Sequence, residues 1–306
     1  MKQYLTYSPF MLLLFFLLAF PDVSFACAAS GLMLWFNTLL PSLLPFLILS
    51  GVFISTDLPE RIVRVGASVW RSLFALTPNG AYALFMGIFC GYPMGARTAA
   101  DLYREGRISR REAEYLLTFS NYPGLSFLSS YVCLQALNRS DLILPSYVIL
   151  YLSGWICSLV FRKMSDCQIP IKEKKKEASA SSSLGEILDA SIMNGFEAIT
   201  KLGGYVILFS VLQGIIRKLC RGTVMYLLCG ITEMSTGITA LTESGWNISI
   251  LYPLSLGAAS FGGLCIAAQT KSMLSGTDIS FLPYLPAKLL NGILSAAMAF
   301  LFIKIV

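Results

Sequence analysis

The sequence predicts an all-α polytopic membrane protein, and three observations lead to this fold class. Of its 306 residues, 56% are hydrophobic and only 13% are charged, whereas soluble domains carry about 25% charged residues. The mean hydropathy is +0.69. Several uncharged runs approach or exceed the roughly 20 residues that cross a bilayer; they span residues 3–21, 23–56, 72–96, 115–138, 142–161 and 244–270. We therefore expect about seven to nine membrane-embedded helices, some of them re-entrant or broken.

Two shorter apolar runs and the N-terminus complete the count of embedded segments. Runs 202–216 and 289–303 reach membrane length if the flanking lysines extend their ammonium groups to the headgroups. Residues 1–26 are predicted as a first membrane span or signal anchor. A cleaved signal peptide is the alternative, because Lys2 precedes an apolar stretch and small residues follow it. Apolar character resumes at Gly31, which favours a retained span.

The composition excludes several functional classes. The chain contains no histidine, so catalytic triads, histidine metal sites and histidine pH switches are absent. The eight cysteines are scattered through apolar runs without Cys-x-x-Cys spacing, as expected for small buried hydrophobes. The net charge of +6 lies largely in loops, where it orients membrane proteins. We expect a lipid bilayer as partner, and no nucleic acid, catalytic residue, cofactor or metal site.

A polar, lysine-rich stretch at residues 162–188 divides the chain. It is predicted to be a cytoplasmic linker because positively charged loops stay inside. Segments 27–161 and 189–306 on either side are predicted to be two pseudo-repeats. Residues 31–54 resemble 191–214, and residues 91–98 resemble 262–270, in the same order along the chain. Internal repeats with interrupted hydrophobic segments are typical of transporters.

The interruption after residue 90 is the clearest local signal. Glycine and proline stop a helix there, and irregular backbone at membrane depth needs protein or a water-filled cavity around it. A guanidinium and freed amides can hold an anion; the alternative is that Arg97 anchors a helix end at the headgroups. The basic loop before residue 72 favours a re-entrant segment at 72–96 over a single crossing. The candidate solute-binding residues are Gly91, Tyr92, Pro93, Gly95, Arg97 and Thr98.

Three further interruptions add candidates. A capping box at residues 109–112 begins a helix that ends at a second stop signal, Asn121-Tyr-Pro-Gly124. A carboxylate lies in the otherwise uncharged segment 223–242 and needs pairing, protonation or a cavity. It would bind a coupling cation or a proton, or pair with Lys201 or Lys271. A structural ion pair is the alternative. The candidates added here are Asn121, Gly124, Glu233, Thr236, Gly262, Gly263 and Gln269.

The stretch that begins at Gly91, GYPMGARTAADLYREGRISRREAEYLLTFSNYPGLSFLSSYV, resembles the YlbJ family of sporulation integral membrane proteins, also called SpoVV. The likeness extends to LPSLLPF at residues 40–46, GITEMSTG at 230–237 and SFGGLCIAAQ at 260–269. It covers nearly the whole chain except the linker and the first span. It also places the chain in the wider nucleoside-recognition, or Gate, group. The second-half motif is the looser match of the two.

The resemblance implies a relative of the concentrative nucleoside transporters. Such a protein would act in the mother cell of endospore formers and move dipicolinate across the outer forespore membrane. A nucleoside-type transporter and a non-transporting assembly factor for sporulation are the alternatives. A membrane enzyme that uses Asp101, Glu105 or Glu112 is disfavoured, because these carboxylates alternate with arginines as surface ion pairs do. The coupling cation or proton, and a homo-oligomeric state, stay open.

Overall fold

The computed structural model describes residues 13–55, 66–125, 127–164 and 183–305, together with the single positions 11 and 63. In this part of the chain 83% of the structure is helical and no strand occurs, which confirms the all-α class. Four helical stretches are long and apolar enough to cross a membrane: Ser140–Val160, Leu184–Leu219, Ile248–Met273 and Tyr284–Ile305. The number rises to six if two bent helix pairs are counted as spans. Together with shorter apolar helices, this is compatible with seven to nine embedded helices.

The first half contains nine helices among its described residues. Helix α1 is separated from α2 by a bend of 115°, so the predicted first span is not one straight helix over the described residues. A π-helical stretch, Trp35–Leu39, joins α2 to α3, and α8 is π-helical throughout. The helices are α1 (Leu13–Ala19), α2 (Pro21–Leu34), α3 (Leu40–Ile54), α4 (Ala67–Phe74), α5 (Pro78–Cys90), α6 (Met94–Arg104), α7 (Arg110–Leu117), α8 (Phe127–Ala136) and α9 (Ile143–Val160).

The second half contains six helices among its described residues. A complete capping box begins the longest of them: the Ser183 hydroxyl accepts from the Glu186 amide, and the Glu186 carboxylate accepts from the Ser183 amide. This helix has 36 residues, more than a bilayer requires. The helices are α10 (Leu184–Leu219), α11 (Gly222–Thr232), α12 (Met234–Thr242), α13 (Ile248–Phe261), α14 (Gly263–Met273) and α15 (Tyr284–Ile305).

One end of the molecule, which we call the basic end, gathers the arginines of several loops. Arg104 donates to the backbone carbonyl of Ser275 at 2.6 Å, and Arg162 donates to the carbonyl of Ser72 at 2.8 Å. The N-terminus of α10 borders the same cleft as Arg104. The cytoplasmic side for this end stays a prediction of the positive-inside rule.

Two helical hairpins enter the molecule from opposite ends. Hairpin 1 (α5 and α6) has both outer ends at the basic end, where the amide of Thr77 donates to Glu112 at 2.7 Å. Its tip is the break at residues 91–93. Hairpin 2 (α11 and α12) has its outer ends at the opposite end, where Arg217 pairs with Glu243 at 2.8 Å. Its tip is Glu233, which has extended backbone between the two helices. Hairpin 1 has the shape of a re-entrant segment, with α6 as its returning arm.

Two broken helices cross the molecule in opposite directions. The pair α7–α8 leaves the basic end and is interrupted between residues 117 and 127. The pair α13–α14 runs toward the basic end and is interrupted at Gly262, which has a φ of 82°. In the same way, α2–α3 and α10 are antiparallel, because Gly31 lies beside Ser210 and Gly51 lies beside Ser191. The second half therefore repeats the first in inverted orientation.

This topology corrects the repeat alignment predicted from the motifs. The order of elements makes the tip of hairpin 1, at residues 91–93, equivalent to Glu233 at the tip of hairpin 2. The α7–α8 break at residues 121–124 is equivalent to the α13–α14 break at 262–263. The sequence similarity had instead matched residues 91–98 with 262–270.

Glycines on hairpin 1 allow the α7–α8 break to lie against it. A Cβ atom at Gly87 or at Gly95 would overlap the backbone oxygen of Ser120. Gly91 has a φ of 81°, and a side chain there would overlap the backbone of Gly124. The two interruptions of the first half are therefore in direct backbone contact, as close packing through glycine permits.

Candidate functional site

The tips of the two hairpins meet in the interior. Tyr92 from hairpin 1, Met234 from hairpin 2 and Ile266 from α14 form one buried apolar cluster. The ideal Cβ position of Gly262 is 3.2 Å from Cζ of Tyr92. That of Gly263 is 3.1 Å from the backbone oxygen of Thr232, just before the tip of hairpin 2. The tips of both hairpins and the α13–α14 break thus meet here. The fourth break, between α7 and α8, is adjacent because it contacts Gly91.

A fully buried lysine lies at this junction. Lys288 of α15 has no exposed surface. Its Nζ donates to Oη of Tyr92 at 2.7 Å and to the backbone oxygen of Asn121 at 2.9 Å. It also lies 4.8 Å from the centre of the Tyr92 ring, within the range of a cation–π contact. The Tyr92 hydroxyl in turn donates to the carbonyl of Ser260 at 2.8 Å.

A buried polar strip continues from Lys288 along α15. The Ser260 hydroxyl donates to Ser295 at 2.7 Å, and the Ser153 hydroxyl lies 2.8 Å from that of Ser295. Ser153 also donates to Oδ1 of Asn291 at 2.6 Å. Lys288, Asn291 and Ser295 lie three and seven residues apart, so they share one face of the helix. This face joins α9, α13 and α15 through polar contacts.

Asn121 caps a helix that is distant in sequence. Its Oδ1 accepts from the amide of Ala96 at 3.0 Å, in the first turn of α6. Its Nδ2 has no partner among the described residues, and the buried hydroxyls of Thr98 and Ser120 have none within the same part of the chain. Buried polar atoms normally find partners. Three such unpartnered atoms therefore lie buried beside the tip of hairpin 1.

Glu233 is the N-cap residue of α12. Its two carboxylate oxygens accept from the amides of Ser235 and Thr236, both at 2.9 Å, and Oε2 also accepts from the Thr236 hydroxyl at 2.7 Å. Its backbone carbonyl accepts from Nε2 of Gln213 at 3.1 Å. Amides and a hydroxyl therefore stabilise this buried carboxylate.

Neither predicted cation partner of Glu233 is in place. Lys201 pairs instead with Glu197 at 2.5 Å, and Lys271 is exposed on α14.

Arg97 lines a separate polar cleft at the basic end. The cleft has a volume of about 750 Å³ and lies between hairpin 1, α3, α10 and the end of α14. Arg97 is half-buried there and pairs with Asp101 at 2.7 Å, so its guanidinium faces protein rather than lipid. The cleft contains three cations, Arg97, Arg104 and Lys201, and four carboxylates, Asp101, Glu105, Glu186 and Glu197. It is polar and nearly balanced in charge.

The structure therefore separates the predicted site residues into two groups. Those at the breaks converge at the hairpin tips, whereas Arg97 faces the cleft. Gln269 is buried on α14 and lies 3.2 Å from Sγ of Cys265, without a contact to Arg97. Thr98 is fully buried within α6. The break residues are Gly91, Tyr92, Pro93, Gly95, Asn121, Gly124, Glu233, Thr236, Gly262 and Gly263.

Lys288 is the residue that the sequence analysis missed. It precedes the apolar run 289–303, and the prediction was that its ammonium extends to the headgroups. That prediction is wrong for Lys288, because it lies on the buried face of α15 together with Tyr284, Ala287 and Asn291. Lys304, at the other end of the run, is exposed as expected. The signal in the sequence is the set of Lys288, Asn291 and Ser295 at helical spacing.

Among the described residues, no group of three or more histidine, cysteine, aspartate or glutamate side chains could hold a metal ion.

Together these features define a class: a polytopic α-helical membrane protein whose two inverted halves bring broken helices to a common polar centre. The chain is similar to the sporulation integral membrane protein YlbJ of Bacillus subtilis (strain 168), with 27% identity over 334 residues that cover 96% of this chain and 81% of the relative. This similarity supports its assignment to the YlbJ family, as the motifs predicted. No family model matches the chain, and no solved structure matches it.

Proposed function

We propose that this protein carries a small anionic solute across a membrane during sporulation. The similarity to YlbJ supports a membrane role in sporulation. The finer proposal is that the solute is dipicolinate and that the protein acts in the mother cell, in the outer forespore membrane. This choice of solute and membrane comes from the family resemblance.

One observation carries the proposal of transport: two hairpins enter from opposite ends and their tips meet at a polar centre. Inverted repeats with discontinuous helices at the midplane are the architecture of many secondary transporters. They allow one half to rock against the other, so that a central site opens to each side in turn. A purely structural membrane protein has no need for buried groups as costly as Lys288 and Glu233.

The polarity of the centre favours an anion. Three helices, α6, α12 and α14, begin at this centre. Each therefore points the positive end of its helix dipole toward it. The α12 terminus is already occupied by the Glu233 carboxylate, whereas α14 has no side-chain cap. The cleft with Arg97 provides a polar approach from the basic end.

A nucleoside-type solute is the second candidate. The Nδ2 group of Asn121 is a buried donor without a partner among the described residues. A side-chain amide can donate hydrogen bonds to an uncharged base or sugar as well as to a carboxylate ligand.

The protein is proposed to act without catalysis or a cofactor. The carboxylates considered as acid or base candidates have structural contacts: Asp101 pairs with Arg97 and Arg104, and Glu112 accepts from the amide and hydroxyl of Thr77.

The test is uptake by purified protein in liposomes. Labelled dipicolinate and a labelled nucleoside are supplied in parallel, and protein-free liposomes serve as the control. We expect time-dependent accumulation of dipicolinate that unlabelled dipicolinate competes away. Accumulation of the nucleoside alone would favour the second candidate. Uptake of neither solute would leave the assembly factor as the better hypothesis.

A further inference from the structure

Lys288 is surrounded by the groups that coordinate a cation. Its ammonium contacts a hydroxyl oxygen, a backbone carbonyl oxygen and the face of an aromatic ring. These three contacts come from hairpin 1 and from the α7–α8 break, while the lysine itself belongs to α15. One charge therefore joins three separate elements at the centre.

Among the described residues, no acid neutralises this charge and Lys288 forms no ion pair. The titratable groups nearest to it are Tyr92 on hairpin 1, which it hydrogen-bonds, and Cys157 on α9; Tyr122 in the α7–α8 break and Tyr284 on its own helix lie near Tyr92. Phenols and thiols are largely uncharged near neutral pH. From α13 the nearby groups are the Ser260 carbonyl and hydroxyl. An unbalanced charge at this depth is costly and is by default a functional feature.

We propose that Lys288 is the coupling site of the protein: a tethered cation whose reversible protonation controls hairpin 1. The coupling of this step to solute movement rests on the transport function proposed above. The release of hairpin 1 is independent of that function and can be measured without any solute.

The contacts explain how protonation would control the hairpin. In the ammonium form, charge-assisted hydrogen bonds hold the Tyr92 hydroxyl and the Asn121 carbonyl, and Asn121 in turn caps α6. Such bonds are about twice as strong as neutral ones. When Nζ gives its proton to water, both bonds and the cation–π contact weaken together. The tip of hairpin 1 then loses its attachment to α15.

The chemistry distinguishes lysine from arginine at this position. An amine can lose its proton within the physiological range, but a guanidinium cannot. Lys288→Arg keeps the charge permanently, and Lys288→Gln removes it permanently. Lys304→Arg, at the exposed end of the same helix, is the matched control.

The experiment is amide hydrogen exchange of residues 85–98 in the purified full-length protein at about pH 6 and about pH 9. Variants are compared with wild type at the same pH, so that intrinsic exchange rates cancel. We expect equal protection of wild type and Lys288→Arg at the lower pH. At the higher pH, exchange in wild type and Lys304→Arg should exceed that in Lys288→Arg by about tenfold. Lys288→Gln should exchange rapidly at both values.

Equal exchange in wild type and Lys288→Arg at both pH values would overturn the proposal. If Lys288→Arg does not fold, the comparison of wild type with Lys288→Gln decides: their difference in exchange must vanish as the pH rises.

A parallel measurement of proton movement during dipicolinate uptake separates the coupling hypothesis from the transport hypothesis. Uptake without any proton movement contradicts coupling but leaves transport standing, whereas absent uptake contradicts transport and leaves the exchange result intact.

Discussion

The hydroxyl of Tyr92 donates a hydrogen bond of 2.8 Å to the backbone carbonyl of Ser260. Tyr92 is at the tip of the hairpin that enters from the basic end, and Ser260 lies just before the break in the helix that crosses from the other end. A single bond thus links an interruption in the first half to one in the second. Lys288 donates to the same hydroxyl, so this contact is the centre of the buried polar network.

Tyr92→Phe removes the hydroxyl and keeps the ring. The Ser260 carbonyl and the Lys288 ammonium would each lose a buried partner, which costs about 1–3 kcal/mol per unsatisfied group. We expect a lower midpoint of thermal unfolding in detergent and reduced uptake per folded molecule. Tyr103→Phe is the control, because its hydroxyl bonds Asp278 at an exposed position. A Tyr92→Phe protein as stable as wild type would show that this hydroxyl has no structural role.

Gly87→Ala tests the contact between the two interruptions of the first half. The added methyl would overlap the backbone oxygen of Ser120, and overpacking of this kind costs about 1–3 kcal/mol or more. We expect a clear loss of monodisperse protein in size-exclusion chromatography after heating. Gly204→Ala is the control, since a methyl there meets nothing within 4 Å. Equal behaviour of the two variants would contradict the close packing of hairpin 1 against the α7–α8 break.

Glu233→Gln replaces one of two carboxylate acceptors with an amide donor. The amides of Ser235 and Thr236 each need an acceptor, so the start of α12 should lose about 1–2 kcal/mol. We also expect uptake to fall at least about tenfold per folded molecule, because the tip of hairpin 2 forms part of the proposed centre. Glu243→Gln, at an exposed ion pair, is the control. Normal uptake by Glu233→Gln would restrict this residue to helix capping.

Arg97→Ala removes the cation of the cleft that lies nearest in sequence to the tip of hairpin 1. If the cleft is the approach for an anion, the half-saturating concentration of dipicolinate should rise by about tenfold, more at low salt than at high salt. Arg139→Ala is the control, because Arg139 pairs with Asp141 at an exposed site outside the cleft. An unchanged concentration dependence would mean that the solute does not pass Arg97.

Local backbone chemistry accounts for what the sequence predicted well. Glycine and proline at residues 91–93 and 121–124 cannot continue a helix, and a lone carboxylate at 233 cannot face lipid. All three positions are interruptions in the structure. That these interruptions meet in the interior could not be predicted, because equivalent breaks in the two inverted halves have different side chains. The sequence therefore does not reveal which breaks correspond.

The surroundings of the two key cations also differed from expectation. Arg97 follows the rule for helix spacing and pairs with Asp101 four residues later, so part of its charge is balanced within the cleft. Lys288 begins an apolar run, and nothing in a single sequence tells whether such a lysine lies at the headgroups or beneath other helices. The tertiary enclosure of α15 decides this.

Equilibrium binding of labelled dipicolinate to the purified protein in detergent tests most directly whether the meeting point of the hairpins holds the solute. We predict saturable binding that Tyr92→Phe and Glu233→Gln both weaken and that Tyr103→Phe and Glu243→Gln leave unchanged. Binding that is absent, or that is equally strong in all four variants, would contradict a solute site at the hairpin tips.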